Sequence, residues 1–259
     1  DAYFSAVMHE LRIPLNEIAR LTTSVLDEEV QGQSVDDYLR AVQETGLRLA
    51  QQVRDVGDAA DFDQGKGHLK LDRTRIPEVV AHVRAVMEPF TRKGVEIENL
   101  VRGAILCVKA DSSRLQQCLM NLVGFTMGLV SRGSIKISAE QASDKTICIY
   151  VCGGQGSGIA QSAVGSLFVS PRTLSQDVAQ RRGLSGMCLP FVKTLVEAQG
   201  GTILASSSLS AGTEFAVTLP IFFNADGTTH DSNPPPVPTP KPQYLRGTVA
   251  SGSWNGRNA

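Results

Sequence analysis

The 259 residues exceed the usual size of a single domain, and a hydrophobic content of 42% is enough to build more than one core. Twenty-five basic against 26 acidic residues leave a net charge of −1, so the polybasic footprint of a nucleic-acid-binding chain is missing. The five cysteines form no CxxC pair, no apolar run reaches the roughly 20 residues of a membrane helix, and no signal peptide opens the chain, which together predict an intracellular chain with reduced core thiols.

The first predicted element is a helix on which Phe4, Leu11, Ile18 and Val25 repeat every seven residues, with Val7, Pro14 and Leu21 three places after each of the first three. This is a coiled-coil seam. His9 falls two places beyond the seam and faces water, with Glu10 and Arg12 beside it and Pro14 just after. A lone exposed histidine on such a helix is ordinarily only a solubilising residue. Proline removes one backbone donor and bends the helix after the His9 turn.

The polar segment 27–33 separates this helix from a second one, which opens on the capping-box-like Ser34-Val35-Asp36-Asp37. Its apolar positions, Val35, Leu39, Val42, Gly46, Leu49, Val53, Val56 and Ala60, alternate by four and three. Two seamed helices make a hairpin, and two hairpins bury both seams in a four-helix bundle, which predicts a homodimer. The alternative is a hairpin packed only within its own chain.

After Phe62, residues 63–67 read as a linker into an α/β pattern. A helix is predicted over 76–87, with strands at 95–97, 105–108, 135–137 and 147–151. Cys148 and Cys152, four residues apart on one strand, span roughly 13 Å and are too far apart for a disulfide. A helix over 190–199, stopped by Gly200-Gly201, precedes strands at 203–205 and 215–219. The order predicts an α+β fold with one sheet covered by helices on one face. Predicted boundaries are 1–65 for the hairpin, 70–222 for the α/β unit and 223–259 for a Pro-rich linker or tail. Its run Asn233-Pro234-Pro235-Pro236-Val237-Pro238 favours extended polyproline structure, and Trp254 receives no role.

His9-Glu10-Leu11-Arg12-Ile13-Pro14-Leu15 resembles the phosphoacceptor box of two-component sensor histidine kinases, H-E-[IL]-R-T-P-L, at all but one position. Residues 111–122 resemble the approach to that family's N box, and 200–220 its closing strands. Residues 2 to 221 are thus similar to a histidine-kinase transmitter module: a dimerisation and phosphotransfer hairpin followed by the ATPase domain shared with gyrase-type ATPases and a heat-shock chaperone family. The resemblance implies His9 as phosphoacceptor, Glu10 as the base that removes its proton, and ATP with Mg2+ as cofactors. Its implied partners are a response regulator or receiver domain. Because the chain starts at Asp1, it is expected to be a fragment, cytoplasmic here and membrane-tethered through a sensor region further upstream.

The same resemblance exposes departures. Ile13 replaces a threonine whose hydroxyl serves phosphatase activity toward the regulator, and isoleucine cannot hold a water. In the N box, Asn121 matches the first asparagine and metal ligand, but Phe125 occupies the second and Gly128 the lysine position. Phenylalanine offers no oxygen to Mg2+. The next motif, D-x-G-x-G-[IL], reads Gly154-Gln155-Gly156-Ser157-Gly158-Ile159: Gly156 and Gly158 are kept for nucleotide approach, while the adenine-binding aspartate is Gly154. In the third, Gly186 keeps its place and Cys188 stands where a glycine is usual. These changes predict a transmitter that is weak or inactive as a kinase, a pseudokinase whose His9 is phosphorylated by an active partner kinase. Two other readings stay open, an active ATP-dependent histidine kinase and a non-catalytic dimeric scaffold.

Overall fold

The computed structural model describes residues 2–27, 34–63, 67–102, 106–154, 157–165, 167–168, 188–208 and 212–223, excluding the side chains of residues 2–10 and a few further positions in the helices. Helices α1 (Ala2–Leu26) and α2 (Val35–Asp63) form the hairpin. The start of α2 is fixed by reciprocal bonds: the Asp37 amide donates to Ser34 Oγ at 3.2 Å, and Asp37 Oδ2 accepts from the Ser34 amide at 3.1 Å. An aspartate here does the work usually given to glutamate in a capping box. Pro14 and Leu21 of the α1 seam are buried, and Leu11, Ile18 and Val25 are partly covered.

Beyond the hairpin lie β1 (Asp72–Arg75), α3 (Ile76–Met87), β2 (Val95–Asn99), β3 (Cys107–Ala110) and α4 (Ser112–Leu129). Then come β4 (Gly133–Ser143), β5 (Thr146–Gly153), a short α5 (Gln161–Val164), α6 (Cys188–Ala198), β6 (Thr202–Ser208) and β7 (Gly212–Pro220). The main sheet has the order β2-β4-β5-β7-β6, in which β2 and β4 are parallel and the other pairs antiparallel. The strand predicted over 105–108 is shifted to 107–110, and it leaves the main sheet to pair with β1, which the sequence reading missed. Asp72–Arg75 is too polar for its alternation to register, since only Thr74 is buried.

The core lies between one face of the main sheet and helices α3, α4 and α6. Alternate residues Ile135 and Ile137, then Ile147, Ile149 and Val151, then Phe215, Val217 and Leu219 point into it and meet Leu115, Leu119, Leu122, Val192 and Leu195 from the helices. Helix α6 ends at Gly200, whose φ of +74° favours glycine; the Gly201 amide donates to the Val196 carbonyl at 3.0 Å and closes the helix. Gly201 also has to be small, because an added Cβ would lie 2.4 Å from the Thr218 carbonyl oxygen.

Candidate functional site

His9 and Glu10 lie on α1 one turn before Pro14, on backbone that is helical throughout. A proline at 14 cannot donate to the carbonyl of Glu10, four residues back, so the acceptor turn carries one unpaired helical carbonyl. Ile13 is 48% exposed and does not pack into the seam.

The second candidate region is built where α4 crosses the ends of β5 and β7. Asp111 caps α4 through its Oδ1, which accepts the amides of Ser113 and Arg114 at 3.0 and 3.1 Å. Three turns on, Asn121 is partly exposed, whereas Phe125, one turn further, is 4% exposed. Phe125 meets Phe215 of β7 edge-on at 5.6 Å, and Phe168 meets the same ring from another side at 6.3 Å. The N-box position read as a lost metal ligand is therefore part of the hydrophobic core. Gly128 is buried on the same helix.

Hydroxyl groups make the floor of this region. Ser157 Oγ donates to the Gly154 carbonyl at 2.7 Å and accepts the Thr213 amide at 3.1 Å, while Thr213 Oγ1 donates to the Ser157 carbonyl at 2.6 Å. Ser207 Oγ accepts the Ile159 amide at 2.9 Å and lies 2.8 Å from Thr213 Oγ1. Ser157, Thr213 and Ser207 were missed as a group by sequence reasoning, although Ser157 stands between the two kept glycines and Thr213 in the closing Gly-Thr-Glu-Phe. The packing is close: a Cβ on Gly153 would fall 2.5 Å from Ser157 Oγ, and one on Gly212, whose φ is +98°, would fall 2.4 Å from the Gly153 carbonyl oxygen. At Gly154 the outcome differs, since an added Cβ would meet only the Ser134 carbonyl oxygen, at 3.5 Å. The backbone there admits a side chain; the carboxylate of the family motif is missing without any steric need.

Of the predicted nucleotide residues, Asn121 and Gly158 are placed on this region's elements, while Gly156 and Gly186 lie outside the described residues. Cys188 opens α6. One amide oxygen from Asn121 does not make a site for a cation that requires an octahedral oxygen set. Among the described residues no group of three or more His, Cys, Asp or Glu side chains could hold a metal. Among the described residues, Asn121 alone thus does not reproduce the paired asparagines that the family motif sets against Mg2+.

On the opposite face of the sheet, Cys152 Sγ donates to Glu214 Oε2 at 3.2 Å and Tyr150 Oη donates to Glu140 Oε1 at 3.0 Å. Burial, then Glu214, pushes the Cys152 thiol well above its ordinary range, and burial raises the Glu214 carboxyl despite the thiol bond. Cys107, Cys118, Cys148 and Cys152 are free thiols, as the sequence predicts.

Residues 110–222 match the family described as histidine kinase-, DNA gyrase B-, and HSP90-like ATPases. An uncharacterised sensor-like histidine kinase of Rhizobium meliloti is 29% identical over 84% of this chain and 42% of its own length. The sensor histidine kinase AtsR of Burkholderia thailandensis is 28% identical over 99% of this chain and 43% of its own length. The chain thus spans less than half the length of these curated relatives. Among solved structures, the Acinetobacter baumannii histidine kinase AdeS superposes with a TM-score of 0.60 at 21% identity, covering 82% of this chain and 98% of that one. Histidine kinase ThkA, solved in complex with the response regulator TrrA, gives 0.60 at 19% identity over 85% and 61%. Among the described residues no helix is long and apolar enough to cross a membrane.

Proposed function

From the premise that this chain is a histidine-kinase transmitter module with an ATPase domain of the histidine kinase, gyrase B and HSP90 type, we propose that it works in two-component signalling as a dimeric phosphoacceptor with a weakened nucleotide site. Residues 1–65 form the dimerising phosphotransfer unit, 70–222 the ATPase-type domain, and 223–259 a linker or tail. His9 attacks the γ-phosphorus of a nucleotide held by an active partner kinase; a P–N bond forms, the bond to the β-phosphate oxygen breaks, and Glu10 takes the imidazole proton. The phosphoryl group then passes to an aspartate of a response regulator or receiver domain. The segment acts on the cytoplasmic side, tethered through regions upstream.

The observation that carries this reading is Phe125, buried against Phe215 where the motif has a metal-binding asparagine. Metal stabilisation of the transferring phosphoryl group is worth several kcal/mol. Gly154 removes a charged acceptor as well, a loss of about 1.5–3 kcal/mol, or roughly ten- to a hundredfold in affinity. The test is binding of an ATP analogue to the purified chain with and without Mg2+, followed by detection of acid-labile phosphate on His9. The expected result is no Mg2+-dependent binding and phospho-His9 only when an active kinase is added, with no label in His9→Ala. Because the backbone admits a side chain at 154, Gly154→Asp should raise analogue affinity measurably. Mg2+-dependent binding with self-labelling of the unaltered chain overturns the reading in favour of an active kinase.

A further inference from the structure

The two faces of the main sheet are covered in different ways. One carries the core and helices α3, α4 and α6; among the described residues no helix stacks on the other. Strand alternation puts Cys148 and Tyr150 of β5 and Glu214 of β7 on that outer face, yet they are only 4%, 7% and 3% exposed. The register partners of Tyr150 are Ser138 and Ala216, both too small to bury an aromatic ring. Burial stops on either side: Leu204, beside Ala216 on β6, is 69% exposed, and Lys136 of β4 and Glu96 of β2 are exposed. The covered strip is about two strands wide, roughly 10 Å, which is the width of one extended chain with its side chains. A globular partner seated there would cover Leu204 as well.

Within the strip one polar atom lacks a partner. Cys152 Sγ holds Glu214 Oε2, but among the described residues Glu214 Oε1 has no hydrogen-bond partner, in a side chain that is almost wholly buried. A buried acceptor of this kind calls for a donor from whatever lies over it.

The chain holds a segment of suitable reach and charge. Strand β7 ends at Pro220, paired with Thr146 at the start of β5, and residues 224–259 follow from that end of the strip. The ten residues from Asn233 to Pro242 favour polyproline structure, which spans roughly 30 Å, about the length of β7. From residue 233 onward the chain carries Lys241, Arg246 and Arg257 and no acidic residue, whereas the outer face carries Glu96, Glu98, Glu140 and Glu214 against Lys136.

From these observations we infer that residues 233–259 fold back along β5 and β7 as an extended strap over the outer face of their own domain, with a donor of the strap on Glu214 Oε1 and its basic side chains toward the acidic residues. This placement is independent of nucleotide binding and of the chemistry at His9.

The test is photocrosslinking on the full 259-residue chain with benzoylphenylalanine in place of Leu204, which borders the strip, followed by mass spectrometry of the linked peptides. The expected product has the mass of one chain and joins position 204 to a peptide from residues 233–259. Lys241→Glu, Arg246→Glu and Arg257→Glu introduced together leave every residue of the core in place. They should cut the yield at least about tenfold and raise the reaction of Cys148 and Cys152 with a thiol reagent at least about fivefold, with the buried Cys107 and Cys118 unchanged. Linkage to a second copy, to any other segment of the same chain, or to nothing overturns the strap, and so does a yield or a thiol reactivity indifferent to the three charge reversals.

Discussion

The hairpin and the ATPase-type domain use their apolar residues in opposite ways. In the domain, the sheet face and three helices close a core in which Ile135, Ile149, Leu122, Val192, Phe215 and Val217 have no measurable exposure. In the hairpin, Ile13, Leu15, Val35, Leu39 and Val53 are each close to half exposed and Leu26 more so, while two polar residues of α2, Thr45 and Gln52, are buried. Three of the heptad positions of α2 that the sequence marks as a seam, Val35, Leu39 and Val53, are thus left exposed within one chain, while Val42, Leu49 and Val56 are partly covered. The domain is complete by itself. The hairpin carries an apolar stripe that a second hairpin would cover.

The largest expected effects come from attacking each half at its own kind of contact. Phe215→Ala removes the ring that both Phe125 and Phe168 meet. A loss of about 3–5 kcal/mol is expected in denaturant unfolding, and it should not depend on protein concentration. Leu39→Asp leaves the domain untouched but puts a charge into the stripe. Association measured by analytical ultracentrifugation should weaken at least about a hundredfold, equivalent to roughly 2.7 kcal/mol. If Leu39→Asp leaves the association state unchanged, the stripe is covered within its own chain and the contrast drawn above fails.

A smaller effect tests the sheet's outer face. Glu214 is 3% exposed, and among the described residues its Oε1 has no hydrogen-bond partner. Burial raises its carboxyl above the ordinary 4.5. A raised acid stabilises the fold most when protonated, so its contribution is complete below the unfolded value and is lost as pH rises through the folded value. Relative to Glu214→Gln, the unaltered protein should lose stability as pH rises above 4.5, by about 1.4 kcal/mol for each pH unit by which the titration is displaced upward. Equal stability of the two proteins across that range would show that the carboxyl is effectively solvated.

How far these features were legible beforehand follows from where their causes lie. Helices α1, α2, α3 and α6 were readable because their repeats and end signals are local, and β5 and β7 because alternation of large apolar residues marks a half-buried strand. Strand β1 was not, since its pairing with β3 depends on residues 32 to 38 positions away and its own sequence is polar. At the site, the substitutions Phe125 and Gly154 were visible as departures from a motif, yet the sequence could not say that Phe125 joins the core rather than blocking a cavity. Only the fold places its ring against Phe215. The same holds for Ser157 and Thr213, which are 56 positions apart and meet at the closing strand. The ion pair of Asp58 with Arg114 also joins positions 56 apart, and neither residue has a local reason to be noticed.

The smallest effect returns to the hairpin and gives it a pH response opposite to that of the sheet. Asp37 is held below its ordinary value, first by the Ser34 hydroxyl and then by the Ser34 amide. A depressed acid stabilises the fold above its unfolded value, and that contribution is lost as pH falls through the folded value. Acidification toward pH 3 should therefore loosen the start of α2 while it relieves Glu214 in the sheet. Ser34→Ala removes the hydroxyl that both accepts the Asp37 amide and donates to its carboxylate. The expected cost is about 1 kcal/mol at neutral pH, read as faster amide exchange over the first turn of α2 only. Because the hydroxyl is the main cause of the depressed carboxyl, the variant should also shift the Asp37 titration upward in a carboxylate-detected NMR experiment. A cost without that upward shift would mean that the cap acts through the backbone alone, leaving the hairpin with no acid response to set against the sheet's.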